Sequence, residues 1–172
     1  MTDQLNWIEK SAEIPAGGLQ RDRAATSAER QAVAQALDIL KVESLSTNYR
    51  INAIAGDGYR LRGTLAAVVE QACVVSLEPV VGNVNADFDV EFFPKIDAPD
   101  EGEEAGILGV ADVELLEHGE IPVGRIVYET LSASLDPYPR RSDAEFNWQD
   151  PKAAEPEKTS PFAALSKLKP DR

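Results

Sequence analysis

A chain of 172 residues with 43% hydrophobic content is long enough for one domain to bury a core without disulfides or metals. Its net charge of −13 is local: residues 63–124 hold 14 acidic groups and one basic, while the segments on either side are each neutral. That excludes a basic nucleic-acid face for the centre; a start without a basic region and apolar stretch, and no apolar run near the roughly 18 residues of a membrane span, predict a cytoplasmic protein outside the membrane.

The first segment carries apolar Leu5, Trp7, Ile8 and Ile14 and closes on a turn at Gly17-Gly18. Thr26 with Glu29 three residues later is a capping box, and Val33, Ala36, Leu37 and Leu40 follow at helical spacing, which predicts an amphipathic helix over 27–39. From Val42 the period changes to two: Tyr49, Ile51 and Ala53 alternate with Asn48, Arg50 and Asn52. Gly56-Asp57-Gly58 then supplies the positive-φ residues of a hairpin. The return strand puts Tyr59, Leu61, Gly63 and Leu65 on one face and Arg60, Arg62 and Thr64 on the other, and runs through the apolar stretch Ala66–Leu77 until Glu78-Pro79 stops it.

The next strand alternates Val84, Ala86, Phe88, Val90 and Phe92 with Asn85, Asp87, Asp89 and Glu91, one core face and one acidic solvent face. Residues 94–106, with Glu101, Glu103 and Glu104, read as a solvated acidic loop. A second helix is expected over 122–135 with Val123, Ile126, Val127, Leu131 and Leu135 as its apolar stripe, ended by Asp136-Pro137-Tyr138-Pro139. The fold class is therefore α+β, a mainly antiparallel sheet over about 42–93 packed by two helices. Residues 1–140 form a single core domain, 141–159 a proline-containing linker, and 160–169 a short helix on a flexible tail, where Ser160 caps, Pro161 opens, and Phe162, Leu165 and Leu168 share a face.

No catalytic constellation emerges. His118, the only histidine, lies in an acidic turn without a second histidine or a nucleophile at a recognisable spacing and reads as a surface residue. Cys73, the only cysteine, cannot make an internal disulfide or a four-ligand zinc site and reads as a buried, inert thiol within an apolar strand. Asp87 and Asp89 share a strand face that simply opposes the core, and Gly56-Asp57-Gly58-Tyr59 lacks the helix and later glycine of a phosphate-binding loop. The expectation is a non-enzymatic binding protein with no catalytic residues, no metal site and no cofactor.

Four blocks in order, Leu61-Arg62-Gly63-Thr64-Leu65, Gln71-Ala72-Cys73-Val74-Val75-Ser76-Leu77-Glu78-Pro79-Val80, Leu131 through Arg140, and Ser160 through Lys169, resemble the YceD family of large ribosomal RNA subunit accumulation proteins. The resemblance implies a cytoplasmic bacterial protein, or an organellar one in plants, that supports accumulation of large-subunit (23S) rRNA. Many relatives have Cys-x-x-Cys where this chain has Cys73-Val74-Val75-Ser76, so a zinc or redox role is not carried over.

Two modes of binding fit. In one the flanks contact precursor RNA or an RNA-protein intermediate, with Arg60, Arg62, Arg140, Arg141, Lys167 and Lys169 as phosphate contacts and Tyr59 or Tyr138 for stacking. In the other the acidic centre, including Glu101, Glu103 and Glu104, receives a basic ribosomal protein while the Phe162, Leu165 and Leu168 face docks in a partner's groove. The sequence does not specify an oligomeric state.

Overall fold

The structure, a computed structural model, describes residues 4–95 and 112–145. In chain order the elements are β1 (Glu9–Lys10), a 3-10 turn (Ser11–Glu13), β2 (Leu19–Ala24), α1 (Ser27–Ala36), β3 (Lys41–Ile54), β4 (Gly58–Ala72), β5 (Pro79–Phe93), β6 (Asp112–Leu115), β7 (Glu120–Ile121) and α2 (Val123–Ser134). The main sheet has the order β2-β3-β4-β5-β6, antiparallel throughout except for the parallel pair β5-β6; β1 and β7 form a separate small ribbon. This is the α+β class expected from the patterning, with β2 and the parallel β6 added at its edges. Residues 96–106 of the acidic loop, most of the 141–159 linker and the 160–169 helix lie outside the described residues.

Alternation builds the core. Leu45, Tyr49 and Ile51 of β3, Leu61, Leu65, Ala67 and Val69 of β4, and Val84, Phe88, Val90 and Phe92 of β5 are buried on the inner face. Val42 joins them although its parity differs from that of Leu45, because a bulge between Val42 and Ser44 inserts one residue and resets the pleat. Helix α1 packs on β3 and α2 on β5 and β4, so both helices cover one face, and among the described residues none covers the other face of the sheet.

The capping box forms as the sequence predicts. The Thr26 hydroxyl accepts the Glu29 N–H at 3.3 Å and the Glu29 carboxylate accepts the Thr26 N–H at 2.8 Å. That carboxylate also accepts the Trp7 indole N–H at 2.8 Å, tying the N-terminal segment to the helix. Burial pushes the Glu29 carboxyl up, but these donors prevail and hold it below the ordinary glutamate range.

Helix α1 ends at Ala36, three residues earlier than expected. Asp38 turns left-handed (φ 52°), and the Ile39 and Asp38 N–H groups close on the carbonyls of Ala34 and Gln35 at 3.1 and 3.4 Å, a Schellman closure that leaves Leu40 exposed instead of in the apolar stripe. Helix α2 matches its expected span, with Val123, Ile126, Val127 and Leu131 buried. Gly124 is required there: a Cβ would overlap the carbonyl oxygen of Leu5, whose segment is held by the Gly124 N–H to Trp7 C=O bond of 2.9 Å.

Two further details differ from the sequence reading. Proline 79 does not stop a strand: β4 ends at Ala72, residues 73–78 turn, and Pro79 opens β5 opposite Ala72, the first-residue position a proline tolerates. Gly58 is not a positive-φ residue, a role taken by Gly56 and Asp57; it is the first residue of β4, where a Cβ would come within 2.7 Å of the Phe93 ring.

Candidate functional site

Two of the sequence blocks that carry the family resemblance, some 60 residues apart in the chain, meet at one end of the sheet. After β4 the chain folds into a turn in which the Cys73 N–H donates to the Glu78 carbonyl at 2.8 Å and the Leu77 N–H to the Cys73 carbonyl at 2.9 Å. The segment after α2 is laced onto this turn from three sides. The Val74 N–H donates to the Pro139 carbonyl at 2.9 Å, the Gln71 amide to the Asp136 carbonyl at 3.0 Å, and Arg141 to the Glu78 carboxylate at 2.6 Å. Arg141 also holds Asp143 through two hydrogen bonds, of 2.8 and 2.6 Å.

Cys73 sits at the centre of this knuckle. It is buried, as expected, but it begins the turn and does not continue the strand, and it is not an ordinary thiol. The Ser76 hydroxyl, aided by the backbone N–H groups of Arg141, Ser76 and Val75 and opposed by burial, lowers it to about 6. The thiol is thus held well below its ordinary range, a perturbation that its apolar sequence context did not announce. Ser76, which stands where relatives of the resemblance have a second cysteine, therefore closes the turn by hydrogen bonding to sulfur. Among the described residues no group of three or more His, Cys, Asp or Glu side chains is placed to hold a metal.

The outside of the knuckle is apolar. Leu77 and Tyr138 are each 76% exposed, Val81 64% and Val74 53%, and Leu40 lies at the same end, since Lys41 pairs with Glu70, which in turn pairs with Val81. Among the described residues only Val113 and Leu115 on the β6 edge are comparable exposed large hydrophobics elsewhere. Leu77 is moreover held at φ 61°, the left-handed region that disfavours a residue with a Cβ by about 1–2 kcal/mol. Exposed apolar side chains gathered at one end, one of them strained, are the pattern of a contact surface. The cluster could not be read from the sequence because Val74 and Leu77 belong to the apolar stretch that reads as buried strand; their place within a family block was the one available signal.

The arginines expected to meet phosphate are distributed differently. Arg60 and Arg62 are on the outer face as predicted, but Arg60 makes two 2.7 Å bonds to Asp89 and a 3.2 Å pair with Glu91, and Arg62 reaches Asp89 at 2.9 Å. Hydrogen bonding from Arg60 is the main reason the Asp89 carboxyl stays below its ordinary range. This end of the β5 outer face is thus an ion-pair ladder and not a bare acidic surface.

Ten residues separate Arg62 from Ala72, about 33 Å of extended strand, so these arginines and the pair Arg140-Arg141 lie at opposite ends of the sheet. Arg140 is bonded to the Ala144 carbonyl at 2.9 Å. Tyr138 stands beside the knuckle, whereas Tyr59 is half-buried at the far end with its hydroxyl 3.4 Å from the Ser11 carbonyl. Lys167, Lys169, Phe162, Leu165, Leu168, Glu101, Glu103 and Glu104 lie outside the described residues. His118 is exposed in a left-handed turn at φ 54°, as expected of a surface histidine.

Charge that is segregated along the sequence is recombined in space. Arginines from both neutral flanks fold onto carboxylates of the acidic centre: Arg60 and Arg62 onto Asp89 and Glu91, Arg125 onto Glu114, and Arg141 onto Glu78. A second network that the sequence did not announce secures the N-terminal segment. Glu9, only 3% exposed, accepts the Tyr49 hydroxyl at 2.6 Å and Arg23 at 2.9 Å, and burial and this carboxylate push the Tyr49 phenol up to about 12.

These features define a two-layer α+β protein in which one sheet face carries both helices and the end of the sheet presents a braced apolar knuckle. The chain belongs to the YceD family: the family model described as "Large ribosomal RNA subunit accumulation protein YceD" matches residues 61–169, from β4 through the knuckle to the C-terminal block. No curated protein matches the chain, and neither does any solved structure. The family description concerns rRNA accumulation and names no reaction, and among the described residues no helix is long and apolar enough to cross a membrane.

Proposed function

We propose that this protein is a non-enzymatic, cytoplasmic ribosome-biogenesis factor that supports accumulation of large-subunit (23S) rRNA by binding a protein component of the assembling subunit. The process comes from family membership. The choice of a protein over RNA as the immediate ligand is carried by one observation: each candidate phosphate-binding arginine among the described residues, Arg60, Arg62, Arg140 and Arg141, is already hydrogen-bonded within the fold. A phosphate approaching Arg60 or Arg62 would have to compete with Asp89 and Glu91 in a protein whose net charge is −13. The same excess of acid, together with the exposed apolar knuckle, favours a basic protein ligand, for which long-range attraction raises the encounter rate.

In this reading residues 1–140 are the folded core, 141–159 a linker and 160–169 an appended helix. Two titrations of the full chain test it, one against large-subunit rRNA fragments and one against RNA-free proteins extracted from the large subunit. The expected result is saturable, salt-sensitive binding to the proteins and none to the RNA. Salt-dependent RNA affinity that falls on replacing Arg60 and Arg62 would overturn the choice of ligand and restore direct RNA contact.

A further inference from the structure

We propose that the chain's own C-terminal block, Ser160 to Lys169, is an occupant of the apolar knuckle and docks on Val74, Leu77, Val81 and Tyr138 within the same molecule. The block lies outside the described residues, and three observations point it to this place.

The first is the path of the chain. The described residues end at Glu145, four residues after Arg141, which bonds both Glu78 of the knuckle turn and Asp143. The remaining chain therefore sets out from beside the patch. The 16 residues from 146 to 161 span up to about 50 Å when extended, so Phe162 can return to any part of it. A tether of this length keeps the block at an effective concentration of about a millimolar, so that a modest intrinsic affinity suffices for occupancy.

The second is complementarity. Phe162, Leu165 and Leu168 recur at three-residue spacing and would share one face of a helix, with Lys169 beside that face and Lys167 on the opposite side. The knuckle offers exposed aliphatic and aromatic side chains, with Glu70 paired beside Val81 and Asp136 bonded by Gln71 at its border. An apolar stripe beside a lysine meets an apolar patch beside carboxylates.

The third is the extent of the family match. It begins in β4 at residue 61, takes in the knuckle turn and the segment after α2, and ends at residue 169, the last residue of the block. The N-terminal segment, β2, α1 and β3 fall outside it. The matched unit is thus the patch together with the block proposed to cover it.

The inference concerns the chain alone: the cross-link below tests the block and the titrations above test the ligand, so the two can fail separately.

The test is a full-length protein carrying photoreactive p-benzoylphenylalanine in place of Phe162, irradiated at low and at high protein concentration. The expected product is a monomer cross-linked to residues 73–81 or 137–141, in a yield independent of concentration. Combining Leu77→Asn with Tyr138→Ser should lower that yield about tenfold or more, the loss expected when two apolar contacts are removed. Asn tolerates the left-handed backbone of Leu77, so this variant keeps its fold. Salt should lower the yield further by screening the lysine contribution.

Cross-links to another region, cross-links between chains that grow with concentration, an unchanged yield in the double variant, or no cross-link at all would each overturn the proposal. Amide exchange on the full-length wild-type chain supplies an independent readout. Protection of residues 162–169 that disappears in the double variant is expected, and exchange at the unprotected rate in the wild type would overturn the proposal.

Discussion

The two ends of the β3-β4-β5 sheet solve opposite problems. At the hairpin end Arg60, Arg62, Asp89 and Glu91 satisfy one another on an outer face that the sequence made look like separate basic and acidic stripes. At the knuckle end polar groups point inward, to Cys73, Glu78 and the carbonyls of Asp136 and Pro139, while Leu77, Val74, Val81 and Tyr138 point out. The difference teaches that in this protein charge serves mainly to close the fold, and that the surface left open for recognition is apolar. A residue's type is therefore a poor guide to its role here: the obvious arginine candidates are structural partners, and the aliphatic residues that looked like core are the exposed ones.

The strongest perturbation of this arrangement falls between the two ends. At Gly63 a Cβ would lie 2.6 Å from the Asn48 carbonyl oxygen and collide with the Phe88 ring, so Gly63→Ala should destabilise the protein by about 3 kcal/mol, read in urea unfolding. Loss at both ends together would confirm one cooperative sheet; exchange data showing only one end loosened would separate them. Next is Tyr49→Phe, which removes a buried hydroxyl from Glu9 and should cost about 2 kcal/mol, with β1 and the N-terminal segment losing protection first.

At the hairpin end Arg60→Ala should cost at most about 1 kcal/mol, since the ion pairs are partly exposed, and the cost should shrink in high salt. At the knuckle end Leu77→Asn relieves a left-handed leucine but removes an apolar contact proposed for the C-terminal block, so the two effects oppose and the net change in the full chain should stay within about 1 kcal/mol; a gain well beyond that would mean that nothing covers Leu77.

A last contrast is in pH. The Cys73 thiol titrates at about 6 in the folded chain, below its ordinary value of 9, so its contribution to stability is complete above pH 9 and is lost as pH falls through 6. The melting temperatures of the wild type and Cys73→Ala should therefore diverge in favour of the wild type between pH 6 and pH 9. A constant difference would show that the thiolate is not preferentially stabilised. Arg60→Ala should show no such divergence over this range, because the Asp89 carboxyl it bonds is held below the ordinary carboxylate range.

Much of the fold was legible because it depends on local rules. The Thr26–Glu29 capping box, the alternation from Val84 to Phe92 and the α2 stripe each encode their element within a few residues, and each forms as read. Strand β2 was not legible: Leu19–Ala24 is mostly polar, and its inward-facing arginines are stabilised by Glu9, which another element delivers. The end of α1 was misread because Asp38, and not a glycine, supplies the left-handed closure. Pro79 was misread because a proline at the first position of a strand looks the same in sequence as one that ends the strand before it.

The candidate site divides along the same line. The family blocks, the apolar faces of the strands and helices, the net acidity and the lack of a recognisable catalytic motif are legible along the chain, because they are matters of residue type and spacing. Contacts between distant segments make the turn after β4 and the segment after α2 one braced unit, hold the Cys73 thiol below its ordinary range through Ser76 and the Arg141 N–H, and neutralise Arg60 and Arg62 with Asp89 and Glu91. Hydrogen bonding, ion pairing and exposure are relations between segments, and here the bracing and ion-pair partners lie 27 to 65 residues apart in the chain, Ser76 alone being local to Cys73.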